Sequence, residues 1–415
     1  MPDSPITNFK DSNNVDLGKK LVTKDYLLEV YGTILENSPA SGLVVTPELW
    51  VWGEGGYGRL GTNNSTTRST PVTTSAGGTN WKQVSSGPTH TGAIKTDGTL
   101  WMWGAINDGR LGINNAGTGT QNIPVTTFAG GTDWKQVSAG NEHTAAIKTD
   151  GSLWIWGGAG NGKLGTNDTT PKRTIPATTF SGGTDWKQVS ASGSTTAAIK
   201  TDGSLWIWGS GGQGKLGINN ENDRSIPVTT FAGGTNWKQV SCGNQHTSAV
   251  KTDGTLWTWG RGGDSGLEGG NLGTNDNNLN RLTPVTTFTG GNNWKSVAIG
   301  NFFTAAIKTD GSLWTWGSGT EGKLGINNTN IRSIPVTTFA GGNNWKQVSC
   351  IDKHISAIKT DGSLWVWGLN SSGQLGDNTI ITRSTPVTTF AGGNNWKQVS
   401  AGTGFSAAIQ TIDYI

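Results

Sequence analysis

Residues 133–157 read DWKQVSAGNEHTAAIKTDGSLWIWG. Two apolar runs, TAAIK and LWIWG, flank a T-D-G-S tetrapeptide. Asp-Gly between apolar runs is a strong hairpin signal, because glycine accepts the positive φ that the turn demands. In LWIWG, period-two alternation sets Trp154 and Trp156 on one face of the strand and Leu153 and Ile155 on the other. Both faces are apolar, so a sheet built this way must be covered on both sides. The unit contains no helical periodicity that could supply the cover. Further copies of the same sheet can.

Those copies are in the chain. W-x-W-G begins at Trp50, Trp101, Trp154, Trp206, Trp257, Trp314 and Trp365, and W-K-[QS]-V begins at Trp81, Trp134, Trp186, Trp237, Trp294, Trp345 and Trp396. Together they use all 21 tryptophans of the 415 residues. One unit reads as four strands: WKQVS, TAAIK, LWIWG and PVTTF. Stacked four-stranded sheets, each covered by its neighbours, close into a ring. The sequence ends after the second strand of a unit, and the repeats begin with a third strand, LWVWG. The expected fold is therefore all-β: a seven-bladed β-propeller over residues 43–415, with one blade shared between the N- and C-terminal strands.

The recurring pattern G-x-x-H-T-A-A-I-x-x-D-G-x-L-W-x-W-G-x-x-x-x-G-x-L-G resembles the regulator-of-chromosome-condensation repeat family. The resemblance implies a seven-bladed propeller but no single function, since it spans nucleotide-exchange factors, a plant light receptor and a secreted enzyme inhibitor. The receptor's motif is G-W-R-H-T. Here the matching stretches are GPTHT, GNEHT and GNQHT, without Trp or Arg, which argues against a light sensor. No catalytic residue of an exchange factor maps onto the sequence.

Composition narrows the function classes. Gly is 65 of 415 residues, but so many tryptophans contradict a disordered chain. With 31 basic and 28 acidic residues there is no charge signature of a nucleic-acid partner. No apolar run is long enough for a membrane helix, and the N-terminus lacks the apolar core of a secretory signal. Cys242 and Cys350 occupy the same place in two repeats, which reads as a small buried side chain and not a disulfide framework.

Comparison of the copies separates frame from surface. From each W-x-W Trp to the Pro of the fourth strand the spacing runs 21, 23, 22, 21, 27, 21 and 21, while the other spacings are constant. The loops after WKQVS also differ: SGPTH, AGNEH, ASGST, CGNQH, IGNFF, CIDKH and AGTGF. The turns TDGT or TDGS and the links AGGTN or AGGNN barely change. In an antiparallel meander both variable loops emerge on one side, so that side is the expected recognition face. Candidate partner-binding residues are Tyr57, Asn107, Asp108, Glu142, Gln213, Phe302 and Lys353, with Arg261, Asp264, Leu267 and Glu268 in the longest loop.

Chemistry-bearing residues do not cluster. His90, His143, His246 and His354 recur one per blade, with Phe303 and Phe405 in the same place elsewhere, so packing is expected and not a metal site. Asp97, Asp150, Asp202, Asp253, Asp310 and Asp361 all belong to D-G turns. Lys82, Lys135, Lys187, Lys238, Lys295, Lys346 and Lys397 read as a solvated rim. No cofactor, metal or enzymatic activity is expected. In the leader, residues 1–42, apolar positions Leu27, Leu28, Val30, Tyr31, Ile34 and Leu35 suggest one short amphipathic helix, with Tyr26 to Ile34 as a docking peg. The segment GKKLVTKDYLLEVYGTI resembles N-terminal segments of bacteriophage virion proteins. The resulting expectation is a virion tail or fibre component that binds a host surface or another virion protein. The alternatives are an exchange-factor-like regulator of a small GTPase and a secreted inhibitor or lectin-like binder.

Overall fold

The computed structural model describes residues 44–168, 171–263, 269–277 and 279–414. Among these, 28 strands form seven four-stranded antiparallel sheets. Six are meanders of consecutive strands, such as Trp134–Ala139, His143–Lys148, Leu153–Gly158 and Lys172–Thr178. We number the blades from one, which opens at Trp81, to seven, which opens at Trp396. Blade seven is composite: Trp396–Gly402 and Phe405–Tyr414 pair onward with Val44–Gly53 and Arg68–Thr73. The expected sharing of one blade by both ends of the repeat region is thus observed. The leader and its residues Tyr26, Leu27, Leu28, Val30, Tyr31 and Ile34 lie outside the described residues.

The W-K strands are innermost and wall an axial cavity of about 230 Å³ lined by Ser85, Ser138, Ser190, Ser241, Ser349 and Ser400, among others. Glutamine side chains join neighbouring inner strands. Gln83 Nε2 donates to the Val137 carbonyl at 2.8 Å, and its Oε1 accepts the Val137 N–H at 2.8 Å. Gln136, Gln188, Gln239 and Gln347 repeat this double bond to the following blade, and Gln398 closes the ring onto Val84. In blade five the position is Ser296, too short to make the bridge. Cys242 and Cys350 are free, buried thiols on the wall of the cavity, and burial raises the Cys242 pKa to about 12.

Between blades the tryptophans form the core. Leu153 and Ile155 pack with Trp186 and Trp208 of the next blade, while Trp154 and Trp156 pack with Leu100, Met102 and Trp134 on the other side. The face assignment read from LWIWG therefore holds. Trp134 meets Trp154 and Trp156 edge-to-face at 6.1 and 6.2 Å, and Lys148 Nζ lies 4.8 and 5.0 Å from the Trp134 and Trp154 ring centres. An edge-to-face pair adds about 0.5–1.5 kcal/mol beyond area burial. The glycine ending W-x-W-G is required by close approach. Gly157 has φ +108°, and a Cβ there would stand 2.4 Å from the Glu142 carbonyl oxygen.

The fourth strand differs from the expected PVTTF: it starts earlier and ends before the phenylalanine, as in Arg224–Thr229. Its pairing with the third strand shifts register around the proline, for example between Ile207 and Gly209. An outer edge tolerates the missing N–H of proline. The phenylalanines that follow, Phe128, Phe180, Phe231, Phe288, Phe339 and Phe390, are 60–66% exposed.

Candidate partner-binding face

Both variable loops of each blade emerge on one side, as the meander requires, and the backbone fastens them together. The residue after W-x-W-G donates its N–H to a carbonyl of the loop between the first and second strands. This gives Ala105 to Thr89, Gly158 to Glu142, Ser210 to Ser194, Arg261 to Gln245, Ser318 to Phe302, Leu369 to Lys353 and Glu54 to Gly404, all at 2.8–3.0 Å. The diversified loops of a blade are therefore one structural unit.

A set of buried cations holds these units in place. Arg59, Arg110, Lys163 and Lys323, each just before the Leu-Gly of its loop, are 2–7% exposed. Arg110 Nε donates to Asn107 O at 2.9 Å, and its Nη1 donates to Thr89 Oγ1 at 2.7 Å and to Asn141 O at 3.1 Å. Its remaining nitrogen pairs with Asp108 at 2.7 Å. Arg59 bonds Gly56 O, the Glu54 carboxylate and, in the first loop of its own blade, Thr403 O, whereas Asn141 belongs to the blade after Arg110. Lys163 pairs with Glu142 at 2.6 Å. Glu321 lies 4.0 Å from Lys323 and 3.2 Å from Lys353 of the next blade. Burial pushes the Arg59 pKa down, and Glu54 opposes that shift.

Three sequence candidates thereby acquire structural duties. Asp108 and Glu142 neutralise buried cations of their own blades, and Lys353 bridges to Glu321. The cations were missed because lysine and arginine ordinarily read as surface residues; their signal is the repeated [RK]-L-G. Tyr57, Asp108 and Gln213 share the centre of a short 3-10 turn with φ of 59°, 59° and 63°, and Phe302 has φ 61°. Positive φ is uncommon outside glycine and asparagine. Tyr57 is 53% exposed, with the Arg59 guanidinium 5.3 Å from its ring centre. Asn107 opens the turn centred on Asp108. Arg261 covers the Phe302 ring at 5.2 Å and reaches Gln245 Oε1 at 3.4 Å. Asp264, Leu267 and Glu268 lie outside the described residues.

The histidines lie below this face and are fully buried. His90 Nε2 is 2.9 Å from Thr144 Oγ1 in the next blade, and that hydroxyl donates to Arg110 O at 2.8 Å. The hydroxyl has one hydrogen, already committed, so it accepts the Nε2–H and His90 is the neutral Nε2–H tautomer. His143 with Thr196, His246 with Thr304 and His354 with Ser406 repeat the arrangement at 2.7–2.9 Å. Desolvation lowers the pKa of His143 and His246 to about 3 and of His354 to about 4. One such ring per blade boundary does not converge, and no group of three or more His, Cys, Asp or Glu suited to a metal occurs among the described residues.

The opposite side is the frame. Asp150 Oδ1 accepts the N–H and hydroxyl of Ser152, at 2.8 and 2.7 Å, and the Ser152 oxygen accepts Trp154 Nε1–H at 2.9 Å. These bonds hold the Asp150 carboxyl below its ordinary pKa. The lysines of the W-K strands are exposed, from Lys82 to Lys397. Among the described residues Lys148 pairs with Asp133 and Lys200 with Asp185, each at 3.2 Å.

The model of the RCC1-like domain matches residues 122–413, and that of the regulator of chromosome condensation (RCC1) repeat matches residues 48–94. The chain belongs to the RCC1-like family. It is 32% identical over 340 residues to the ultraviolet-B receptor UVR8 of Arabidopsis thaliana, covering 81% of this chain and 76% of the receptor. This RCC1-like chain also matches the human E3 ubiquitin-protein ligase HERC2 at 27% identity, over 90% of its own length but 8% of the ligase. Among solved structures, human WBSCR16 superposes with a TM-score of 0.76 at 20% identity, covering 88% of this chain and 99% of that one. Prp20p of Saccharomyces cerevisiae gives 0.75 at 17% identity, covering 89% and 92%. At those identities the structural likeness establishes the fold. No helix among the described residues is long and apolar enough to cross a membrane.

Proposed function

We propose that this RCC1-like propeller is a non-enzymatic recognition protein whose variable-loop face docks a protein partner. The observation carrying the proposal is the asymmetry of the disc. Paired, hydrogen-bonded loops differ in every blade on one side, while the turns and links on the other are written almost identically. Loops on a rigid scaffold are where specificity ordinarily resides. The family supports the same use: the Prp20p structure is described with that protein's binding properties to Gsp1p and histones. The UV-B receptor points to another use, but the three G-x-x-H-T stretches of this chain lack the Trp and Arg of the sensing motif.

The finer setting is a virion, with residues 1–42 as the anchor and a host surface or another virion protein as partner. The sequence of residues 18–34 is its support. Deleting residues 1–42 is expected to abolish incorporation into particles while leaving a folded propeller. Normal incorporation of the truncated chain would sink the anchoring role. Recognition itself is tested by placing a photo-crosslinking amino acid at Tyr57, Gln213 or Phe302 and, for comparison, at Phe128, Phe231 or Phe339. A shared crosslinked product from the first set alone is expected; product from the second set alone would overturn the choice of face.

A further inference from the structure

Blade six breaks the pattern of buried cations. The position held by Arg59, Arg110, Lys163 or Lys323 in other blades is Gln374, and the acid corresponding to Asp108 is Ser372. Gln374 carries no charge. Its Oε1 turns back to accept the Ser372 N–H at 2.8 Å. A cavity of about 170 Å³ stands at that place, between blades six and seven on the variable face. Asp352, Lys353, Ser371, Thr403 and Glu54 are on its wall.

The wall retains the acceptors that serve a cation elsewhere. Ser371 and Thr403 correspond to Asn107 and Asn141, whose carbonyls accept from Arg110; the Thr403 carbonyl here already accepts from Arg59 Nη1 at 2.9 Å and keeps its second lone pair. Of the charged groups, Glu54 is held by Arg59 and Lys353 by Glu321. Asp352 has Asn301 as a hydrogen-bond partner, and it faces Lys353, Lys323 and Glu321. His354 also lines the cavity, is fully buried, and has no partner for Nδ1. Its Nε2–H is committed to Ser406 Oγ, which itself donates to Gln374 O at 3.0 Å, so Nδ1 is a bare acceptor. Carbonyls, a carboxylate and an imidazole lone pair together call for a group that carries several N–H donors and positive charge.

We infer that this cavity receives a lysine or arginine side chain of the protein partner, which takes the place of the missing internal cation. The inference rests on the recognition reading of the face and adds the chemistry of one contact. Only blade six pairs a glutamine at the cation position with a carboxylate in its first loop. In blade three Lys215 is present, and in blade four the position is a fully buried Asn271.

The test uses the full chain labelled with ¹⁵N-histidine, with the four imidazoles followed by NMR during titration with methylguanidinium and, separately, n-butylammonium. The His354 signals are assigned by their loss in His354→Phe, a residue two other blades already carry there. Expected is a saturable shift of His354 Nδ1 with at least one probe; the two arms distinguish an arginine-like from a lysine-like guest. His90, His143 and His246, whose Nδ1 atoms also lack partners, are internal controls and should not move. Asp352→Asn is expected to weaken the shift at least tenfold, and Gln374→Arg, which restores the family cation, to abolish it. Equal shifts at all four histidines, no shift at His354, or a shift untouched by Gln374→Arg would overturn the proposal. These readouts need no partner, so failure here leaves the crosslinking result standing. Conversely, absence of crosslinks would count against recognition while leaving the pocket's cation binding measurable.

Discussion

At the scale of single residues, the histidines show how this propeller uses polar groups in its core. Each neutral ring spends its one N–H on the hydroxyl of the next blade, and that hydroxyl spends its hydrogen on a loop carbonyl. Thr144→Val removes the acceptor of His90 and leaves a buried donor unpaired, which is expected to cost about 1–3 kcal/mol in chemical denaturation. Thr144→Ser should be nearly neutral, because Ser406 already plays this part opposite His354. The rings also predict acid sensitivity. Their folded pKa values lie below the ordinary 6.5, at about 3 for His143 and His246 and about 4 for His354. The unfolded chain therefore binds protons first, and stability present above pH 6.5 is lost as pH falls toward those folded values. Each ring contributes a slope of about 1.4 kcal/mol per pH unit in that window. Denaturation midpoints measured between pH 8 and pH 5 should fall in the parent chain. The fall should be smaller in a His143→Phe, His246→Phe variant.

At the scale of elements, the inner strands are joined by the glutamine bridges, and blade five lacks its own. Ser296→Gln is expected to reach both the N–H and the carbonyl of Val348. The resulting stabilisation should be about 1–3 kcal/mol for two hydrogen bonds, read as a raised denaturant midpoint with an unchanged slope. An unchanged midpoint would mean that the bridges are decorative. Strands and turns were legible in the sequence because their constraints are local: D-G for the turn, alternation for the faces, tryptophan for the cover. The fourth strand was legible only in part, since proline shifts its register and moves the following phenylalanine out of the sheet. The face was less legible still. Asp108 and Glu142 differ between copies as recognition residues would, yet each neutralises a cation that only the folded loop buries. The bare site in blade six was written in the sequence as Gln374, but its meaning required seeing where Arg110 and Lys163 go.

At the scale of the whole molecule, closure couples the two ends of the repeat region. Trp52 of the Val44–Gly53 strand packs against Trp396 at 6.2 Å and donates to Gln374 O of blade six at 2.9 Å. Removing residues 1–73 would strip two strands from blade seven and uncover a buried tryptophan face. That truncation is expected to lose cooperative unfolding or to aggregate, whereas removal of 1–42 should leave the transition sharp. Closure makes the frame rigid and frees the loops of one face to differ. The most direct test of that division is hydrogen–deuterium exchange of the chain alone and in complex with the partner trapped by crosslinking. Slowed exchange is expected in loops such as 87–89, 106–119, 140–142 and 351–353, with the links 127–133 and 230–236 unchanged. Protection of those links and their exposed phenylalanines, with the variable loops exchanging freely, would contradict the account.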